Sequence, residues 1–443
     1  MKWKTFLGGI HPPDQKSLSA GKGIEEPPPP RKVFIPVVQH LGAPCEIRVE
    51  VGQKVKKGEV IADCQTFVSA PIHASISGAV VDIKGYNHPT GREVRTIILE
   101  SDGHDEWSRE PANGRDIGEF TPEQLRQKVR DAGIVGLGGA AFPAHVKLTP
   151  PKEKTIDTVI LNGVECEPYL TADHQLMLEQ AESVIKGLQI VMRILGVNRG
   201  YIGIEANKPD ALEVMRRVAG RVPHLEVVEL RVKYPQGAEK QLIKAVLGRE
   251  VPQPPGLPMD VGVVVHNVGT VFAMYEAVTL GKPLVERVVT VSGRGIREPK
   301  NLRLRLGTLF SEAIAHCGGF KGEPGKILMG GPMMGLAQHT TQVPVIKGTS
   351  GILVLPKEEL PGGEARHCIN CGLCVRACPM HLVPSILGTY CEKELFEEAE
   401  AAHVFSCIEC GSCVYVCPAK RHLVQIIKYG KGAILTQKRK QGA

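Results

Sequence analysis

The sequence predicts a multidomain protein that combines β and α/β domains with a helical, cysteine-rich C-terminal part. Up to about residue 98 the pattern is short alternating segments separated by glycine turns, whereas from Pro122 onward helix and strand patterns alternate. With 443 residues, 42% of them hydrophobic, the chain also exceeds the roughly 250–300 residues at which a single core stops growing. The expected segments are 1–30, 31–110, 115–282, 283–340, 358–428 and 429–443.

Segment 1–30 is rich in glycine and proline and predicts no packed core. Four consecutive prolines at 27–30 favour an extended polyproline conformation. Residues 1–4 lead into no apolar stretch, so we expect no secretory signal peptide.

Segment 31–110 predicts a β module. Polar and apolar residues alternate over 45–51, and glycine turns come after them. The pattern resembles the barrel-sandwich hammerhead fold of biotinyl and lipoyl carrier domains. A carrier needs a lysine at an exposed hairpin tip, but none occurs between Gly58 and Gly78, where residues 63–67 take that place. We therefore expect a structural module without a swinging arm.

Segment 115–282 predicts an α/β domain, and segment 283–340 predicts a β domain with one helix. The α/β elements are a helix start at 122–129, strand 159–161, amphipathic helix 176–195, and strands 200–205 and 225–232. The β domain comprises hairpins over 285–309, a helix at 310–316 and a glycine-rich return at 329–332.

Eight of the thirteen cysteines form two copies of Cys-x2-Cys-x2-Cys-x3-Cys-Pro, offset by 39 residues. This is the spacing of a bacterial ferredoxin with two [4Fe–4S] clusters, in which the fourth cysteine of each run ligates the other cluster. A helical pattern at 393–405, between the runs, favours the helical form of such a domain. The first expected ligand set is Cys368, Cys371, Cys374 and Cys417, and the second is Cys407, Cys410, Cys413 and Cys378.

Other interpretations of the cysteines are weaker. A disulfide framework belongs to small secreted domains, and a zinc site usually pairs two cysteine hooks across a longer gap. Five cysteines have no ligand spacing and are expected to be mostly small buried hydrophobes. They are Cys45, Cys64, Cys166, Cys317 and Cys391.

Composition excludes two function classes. The formal charge of +7 falls to about +3 once two oxidised clusters of about −2 each are counted, and aromatic residues make up only 5%. We therefore expect no nucleic-acid partner. No run of about 18 apolar residues predicts a membrane span. The basic tail 429–443 is expected to be solvated or disordered, with a contact to a partner or to anionic lipid as the alternative.

A glycine-rich loop at 133–143 contains Gly-x-Gly-x-x-Ala. A Rossmann loop would come after a strand and open a helix, but here a helix precedes the loop, and Phe142-Pro143 interrupt the helix that should come next. No Gly-Lys-Ser/Thr occurs, which excludes a P-loop. The bare backbone can approach a phosphate or a flat ring closely, and Lys147 adds a positive charge. A plain structural loop is the alternative.

Three further segments lie beyond this loop, at 162–168 (Asn-Gly-Val-Glu-Cys-Glu-Pro), 234–239 (Tyr-Pro-Gln-Gly-Ala-Glu) and 266–270 (His-Asn-Val-Gly-Thr). In this order the four resemble the NADH-binding flavoprotein subunit of respiratory complex I. The resemblance implies an α/β domain that binds FMN non-covalently and takes NAD(H) as substrate. The implied cofactor-binding residues are Gly136, Gly138, Gly139, Lys147, Asn162, Tyr234, Glu239, His266, Asn267 and Thr270.

The same resemblance implies that Phe142, Glu165 and Glu167 face the nicotinamide nucleotide as catalytic residues; solvated loop carboxylates are the alternative for the two acids. The sequence departs from that family at three positions. Leu137 stands where the family has arginine, Val164 where it has aspartate, and Ala238 where it has the first of two adjacent acids.

The complete order of modules, with the opening Phe-Leu-Gly-Gly-Ile-His-Pro-Pro at 6–13, resembles the C subunits of Rnf ion-translocating electron-transport complexes. The resemblance implies a β-grasp-like (SLBB) domain at 283–340 and a ferredoxin:NAD+ oxidoreductase. It also implies a peripheral location at the cytoplasmic face of the bacterial membrane, with membrane subunits and a ferredoxin-binding iron–sulfur subunit as partners. A soluble cobalamin-reductase-like enzyme and a scaffold without flavin chemistry are the alternatives.

Overall fold

The N-terminal module consists of two antiparallel sheets around a core of its own. The computed structural model describes residues 4–112, 114–360 and 362–441; residues 1–3, part of the signal-peptide argument, lie outside them. The strands, after β1 (Ile24–Glu25), are β2 (Lys32–Pro36), β3 (Glu46–Ile47), β4 (Lys54–Val55), β5 (Val60–Asp63), β6 (Ile72–His73), β7 (Gly78–Asn87) and β8 (Glu93–Ser101). One sheet has the order β2-β8-β7-β4 and the other β3-β5-β6, with buried valines and isoleucines between them.

The α/β domain is built on a four-stranded, fully parallel sheet of order β11-β10-β9-β12. Its first helix begins at a capping box, in which the side chains of Thr121 and Gln124 each bond the other's backbone N–H. The elements are α1 (Pro122–Asp131), α2 (Ala144–Lys147), β9 (Thr158–Asn162), α3 (Ala172–Glu179), α4 (Ala181–Leu195), β10 (Gly200–Glu205), α5 (Pro209–Ala219), β11 (Leu225–Leu230), α6 (Glu239–Leu247), β12 (Val263–Asn267) and α7 (Val268–Tyr275).

The single helix predicted at 176–195 is wrong, since two helices occupy the region. The backbone leaves the helical conformation at Gln180 (φ −127°, ψ 30°). Next to this break the Glu179 carboxylate accepts a hydrogen bond from the backbone N–H of Ile24 (2.8 Å). The apolar period continues across the break, which is why the sequence pattern does not reveal it.

The β-grasp-like domain contains a six-stranded mixed sheet of order β1-β14-β13-β17-β15-β16. The predicted hairpin is present as β13 paired with β14. The sheet extends beyond the predicted segment 283–340, because β1 and β17 join it through non-local parallel pairing that local patterns do not show. Its elements are β13 (Glu286–Ser292), β14 (Lys300–Arg305), α8 (Phe310–His316), β15 (Pro324–Met329), β16 (Leu336–Gln338) and β17 (Gly351–Pro356).

The C-terminal domain is helical, as predicted, but its helices differ in extent from the prediction. The helix predicted at 393–405 covers only Phe396–Ala401, because Glu394 (φ 57°) and His403 (φ 61°) adopt left-handed backbone conformations on either side. The helices are α9 (Leu373–Ala377), α10 (Pro384–Glu392), α11 (Phe396–Ala401), α12 (Ser412–Tyr415) and α13 (Leu423–Gln441).

The described part of the tail 429–443 belongs to helix α13, so the expected disorder is wrong, whereas the expected solvation is found at residues 435–440, which are exposed. This helix buries Ile427 and Ile434 in the core of the C-terminal domain, and Lys438 forms an ion pair with Glu400 of α11. Within the described residues, no helix combines the length and apolar character needed to cross a membrane.

Candidate functional site

The four predicted flavin segments meet at the carboxyl edge of the parallel sheet. Asn162 ends β9 and Asn267 ends β12, and the two are direct partners in the parallel register. Open α/β sheets bind their ligands outside this edge. The topology therefore collects residues that lie about a hundred positions apart in the chain into one place.

The glycine loop folds back on itself above this edge. The backbone N–H of Gly136 donates to the carbonyl of Phe142 (2.8 Å), which closes the loop. Gly138 and Gly139 are exposed, and a Cβ on Gly138 would lie only 2.8 Å from Nδ2 of Asn267. Gly139 has open space around it. A side chain is therefore excluded at the first position, and the backbone at the second is accessible to a flat or anionic group.

The loop is anchored through Leu137, one of the three departures from the complex I pattern. Its N–H donates to Oγ1 of Thr270 (2.9 Å), and its carbonyl accepts from Nη2 of Arg287, on β13 (3.1 Å). The Leu137 side chain is only 5% exposed and belongs to the domain core. The leucine therefore serves packing, and Arg287 holds the loop from the neighbouring domain.

Asn267 connects the sheet edge to a buried acid. Its Nδ2 donates to Oδ2 of Asp173 (2.6 Å), while its Oδ1 accepts from the N–H of Thr270 and caps helix α7. Burial, together with the nearby charge of Glu165, raises the pKa of Asp173. The amide is thus fixed in one orientation by two partners.

Lys147 and His266 lie close together beneath the edge. Nζ of Lys147 donates to Oε1 of Glu239 (2.7 Å) and to the carbonyl of Val265 (2.6 Å). The His266 ring is buried, and its Nε2 has no hydrogen-bond partner among the described residues. Burial and the positive charge of Lys147 hold the pKa of His266 well below its usual range. An unpartnered buried ring nitrogen, one residue before the Asn267 that lies against Gly138, fits a polar, flat cofactor such as FMN.

The two predicted catalytic acids both bond backbone N–H groups. Glu165, with a left-handed φ of 45°, accepts from the N–H of Asp173 (2.8 Å) and of His174 (3.2 Å). Glu167 accepts from the N–H of Met333 (3.0 Å) and of Met334 (2.8 Å). These bonds show structural roles. A role of either acid, or of the half-buried Phe142, toward a nucleotide stays a prediction.

Two buried lysines hold the loop that carries these acids. Nζ of Lys16 donates to the carbonyls of Glu167 (3.0 Å) and Leu170, and Nζ of Lys208 donates to the carbonyl of Val164 (2.7 Å). Burial and the charge of Lys208 lower the pKa of Lys16. The two buried ammonium groups therefore fix the backbone of the loop at 164–170. Val164, a second departure from the complex I pattern, is buried in the core.

The structure brings the eight motif cysteines together in the two predicted sets of four. Four thiols around one cavity fit the donor set of a [4Fe–4S] cluster. One cavity, of about 230 Å³, is lined by the first set: Cys368, Cys371, Cys374 and Cys417. A tighter cavity is lined by the second set: Cys378, Cys407, Cys410 and Cys413. Burial and the neighbouring cysteines raise the pKa of Cys413, so ligation would have to offset the cost of forming this buried thiolate.

The second set lies against the α/β domain. The hydroxyl of Tyr234 donates to the carbonyl of Cys410 (2.8 Å), and Nε2 of Gln241 donates to the carbonyl of Pro379 (3.2 Å). A Cβ on Gly411 would lie 3.0 Å from the carbonyl oxygen of Met333. The resemblance to complex I implies that Tyr234 binds the flavin cofactor, but in the structure its hydroxyl forms a hydrogen bond with the second cysteine motif.

Several residues that shape the site were not predicted from the sequence. Only Asp173 gave a local signal, since it lies in the same stretch of sequence as the acidic segment 162–168. The others lie in other domains or outside any motif, and only the tertiary fold brings them to the site. They are Lys16, Lys208, Gln241, Arg287 and Met333.

Four family models match the sequence in chain order, and they confirm the predicted fold class and cofactors. The N-terminal match is the RnfC barrel sandwich hybrid domain at 4–104. The Nuo51 FMN-binding domain matches 129–276, the SLBB domain 288–337 and the 4Fe-4S dicluster domain 361–418.

Relatives with established names are similar over nearly the whole chain. The C subunit of the proton-translocating ferredoxin:NAD(+) oxidoreductase complex of Clostridium ljungdahlii is 53% identical, over 96% of this chain and 93% of that relative. The C subunit of the Na(+)-translocating ferredoxin:NAD(+) oxidoreductase complex of Acetobacterium woodii is 47% identical, over 99% of both chains. The C subunit of the ion-translocating oxidoreductase complex of Rhodobacter capsulatus is 44% identical, over 97% of this chain and 83% of that relative.

Proposed function

Because this chain belongs to the family of C subunits of Rnf ion-translocating ferredoxin:NAD+ oxidoreductase complexes, we propose that it is the electron-transfer subunit of such a complex. It exchanges a hydride between NAD(H) and FMN and relays single electrons through two [4Fe–4S] clusters. The observation that carries this proposal is the contact between the second cysteine set and the domain with the flavin edge, made by Tyr234 and Gln241.

The residues at the edge have distinct tasks in this function. The exposed backbone at Gly138 and Gly139 would lie against the flavin, Asn162 and Asn267 would present amides at the two strand ends, and Lys147 would supply positive charge. Glu165 and Glu167 keep the loop at 164–170 in shape beside the edge. FMN, when bound, supplies the conversion between two-electron and one-electron chemistry.

The stoichiometry fits the two cysteine sets. Oxidation of one NADH to NAD+ removes a hydride, which amounts to two electrons and a proton. A [4Fe–4S] cluster held by each cysteine set would accept one electron at a time, so the two sets together would accommodate both electrons, and the proton would be released to solvent.

The chain acts as a peripheral subunit of a membrane complex, and we propose that it lies at the cytoplasmic face of the membrane. Ion translocation then belongs to the membrane partner subunits, and a ferredoxin-binding iron–sulfur subunit exchanges electrons with this chain. The names of the relatives, which are C subunits of ion-translocating complexes, support the presence of further subunits as partners.

Anaerobic purification and subsequent addition of NADH test the function. The wild-type chain is expected to contain FMN and about eight irons, and NADH is expected to bleach the flavin band and then the iron–sulfur band. The absence of a flavin band, or a band that NADH does not bleach, would contradict the proposal. Co-purification with membrane subunits distinguishes it from a soluble cobalamin-reductase-like enzyme.

A further inference from the structure

The N-terminal strap, residues 4–20, runs along the α/β domain and reaches the cysteine motifs. It begins at Lys4, whose carbonyl accepts from the N–H of Arg231 (3.2 Å). Further along, Ile10 and Tyr234 exchange two backbone hydrogen bonds (2.8 and 2.9 Å). Near its end, Lys16 bonds the acidic loop. The strap is therefore fixed to the domain with the flavin edge at three places.

The same strap touches the second cysteine set through two glycines. The N–H of Gly9 donates to the carbonyl of Ala377 (2.9 Å), directly before Cys378. A Cβ on Gly8 would lie 2.6 Å from the carbonyl oxygen of Cys378, and a Cβ on Gly9 would lie 2.6 Å from that of Tyr234. Both glycines have left-handed backbone conformations (φ 78° and 76°). Only glycine therefore lets the strap lie between the α/β domain and the cysteine motif.

Tyr234 completes this contact. Its backbone pairs with Ile10 of the strap, and its hydroxyl bonds the carbonyl of Cys410. Ile10, Tyr234, Ala377 and Cys410 are all buried together in one small apolar cluster. The strap, the flavin domain and the second cysteine set thus share one packed interface.

We propose that the strap is a positioning element that holds the second cysteine set at a fixed separation from the flavin edge, with Gly8 and Gly9 as its positioning residues. The inference rests on the proposed function. Electron transfer between two centres falls off exponentially with their separation, so a small displacement of the cysteine set would slow cluster reduction. The reaction of the nucleotide at the flavin edge lies outside this contact and should be spared.

Gly8→Ala tests the proposal, and Gly21→Ala is its matched control. Gly21 also has a left-handed φ (73°) but nothing lies within 4 Å of its Cβ position, so this variant reproduces the backbone strain without the clash. Rapid anaerobic mixing of the holoprotein with NADH resolves the flavin and iron–sulfur bands. In Gly8→Ala we expect flavin bleaching at the wild-type rate and cluster reduction slowed by about tenfold or more; Gly21→Ala should match the wild type in both.

Two outcomes of this comparison would overturn the proposal: cluster reduction in Gly8→Ala as fast as in Gly21→Ala, or a slowing of both steps together. If Gly8→Ala fails to fold or to retain iron, the variant Lys233→Met tests the proposal instead. Nζ of Lys233 bonds the carbonyl of Phe6 (2.8 Å) and lies over its ring, so its loss loosens the strap without a clash. Selective slowing of cluster reduction in this variant supports the strap's role, and unchanged reduction refutes it.

A separate readout distinguishes failure of the strap from failure of the proposed function. If NADH does not bleach the wild-type flavin, the proposed function fails. Hydrogen exchange then tests the positioning role of the strap without relying on electron transfer. Faster exchange in 377–380 and 408–411 in Gly8→Ala than in Gly21→Ala supports the positioning role. Equal exchange in the two variants rejects it.

Discussion

The two cysteine sets, each made of three cysteines from one copy of the spacing and the fourth from the other copy, lie in different surroundings. In the first set, Cys368 and Cys371 are exposed, and Ile369 between them is 67% exposed. In the second set, Cys410 and Cys413 are each only 7% exposed. The first set faces outward, whereas the second is covered by the α/β domain and the N-terminal strap.

This difference shows that the repeated cysteine spacing provides the ligands of both sets but does not determine the position of each set relative to the flavin edge. Both runs have the same residue types at the same spacing, so ligand chemistry does not distinguish them. The distinction comes from Tyr234, Gln241 and Gly9, which donate hydrogen bonds to residues of the second set or to residues next to it. The second set is thus the inner one, next to the flavin edge, and the first is the outer one.

Removal of one ligand from each set is expected to have the largest effect. Cys410→Ala and Cys371→Ala should each lose about four irons per chain. In Cys410→Ala, NADH should bleach the flavin but leave the remaining cluster mostly oxidised, because the inner centre is missing. In Cys371→Ala, NADH should still reduce the remaining cluster. Iron analysis and electron paramagnetic resonance after NADH addition measure both results.

The order of the two centres is wrong if the remaining cluster is reduced equally fast in both variants. Cys391→Ala serves as the control, since Cys391 is buried but belongs to neither set. This variant should keep about eight irons and wild-type reduction.

Much of this arrangement could be predicted from the sequence, because its signals are local. The cysteine spacing predicts both ligand sets, and the resemblance of four short segments to a flavoprotein implies that they share one flavin site. The contacts that separate the inner set from the outer one are not local: Tyr234 lies 176 positions from Cys410, and Lys16 lies 151 from Glu167. Such pairings depend on how domains pack, which neither spacing nor periodicity encodes.

The loop at 164–170, next to the inner set, can also be destabilised by removing a buried charge, and we expect a smaller effect than that of ligand removal. Lys208 is fully buried beside the buried Glu205 (3.6 Å) and donates to the carbonyl of Val164. Lys208→Met would remove the cation paired with this buried carboxylate, which costs roughly 3–5 kcal/mol. Hydrogen exchange should show a matching loss of protection in 164–170. Such a loss would also loosen Glu167, which holds Met333 against the inner set.

The control for this variant lies on an exposed part of the C-terminal domain. Lys438 pairs with Glu400 but its side chain is 53% exposed. Lys438→Met should cost at most about 1 kcal/mol and leave exchange in 164–170 unchanged. Equal losses of protection in the two variants would show that burial does not decide the importance of these ion pairs.

The smallest expected effect is a pH dependence confined to the inner side. Burial raises the pKa of Glu167 from 4.5 to about 7 and outweighs the hydrogen bonds from Met333 and Met334, which lower the pKa. The native position of Glu167 therefore favours the protonated carboxyl group. Where the native state binds more protons than the opened state, stability falls as pH rises. This position should therefore be most stable below pH 4.5 and lose at most about 3 kcal/mol as the pH rises to 7.

Hydrogen exchange in 331–336, corrected for the intrinsic effect of pH, measures this slope. Glu167→Gln cannot ionise, so its protection should not change between pH 4.5 and 7 apart from the correction. No such slope is expected around the outer set, because the turn that Glu167 holds packs on Gly411, which is next to Cys410 of the inner set. A slope that persists in Glu167→Gln would assign the titration to another group. A slope of equal size in 368–376 would show that the two sets do not differ in their coupling to protons.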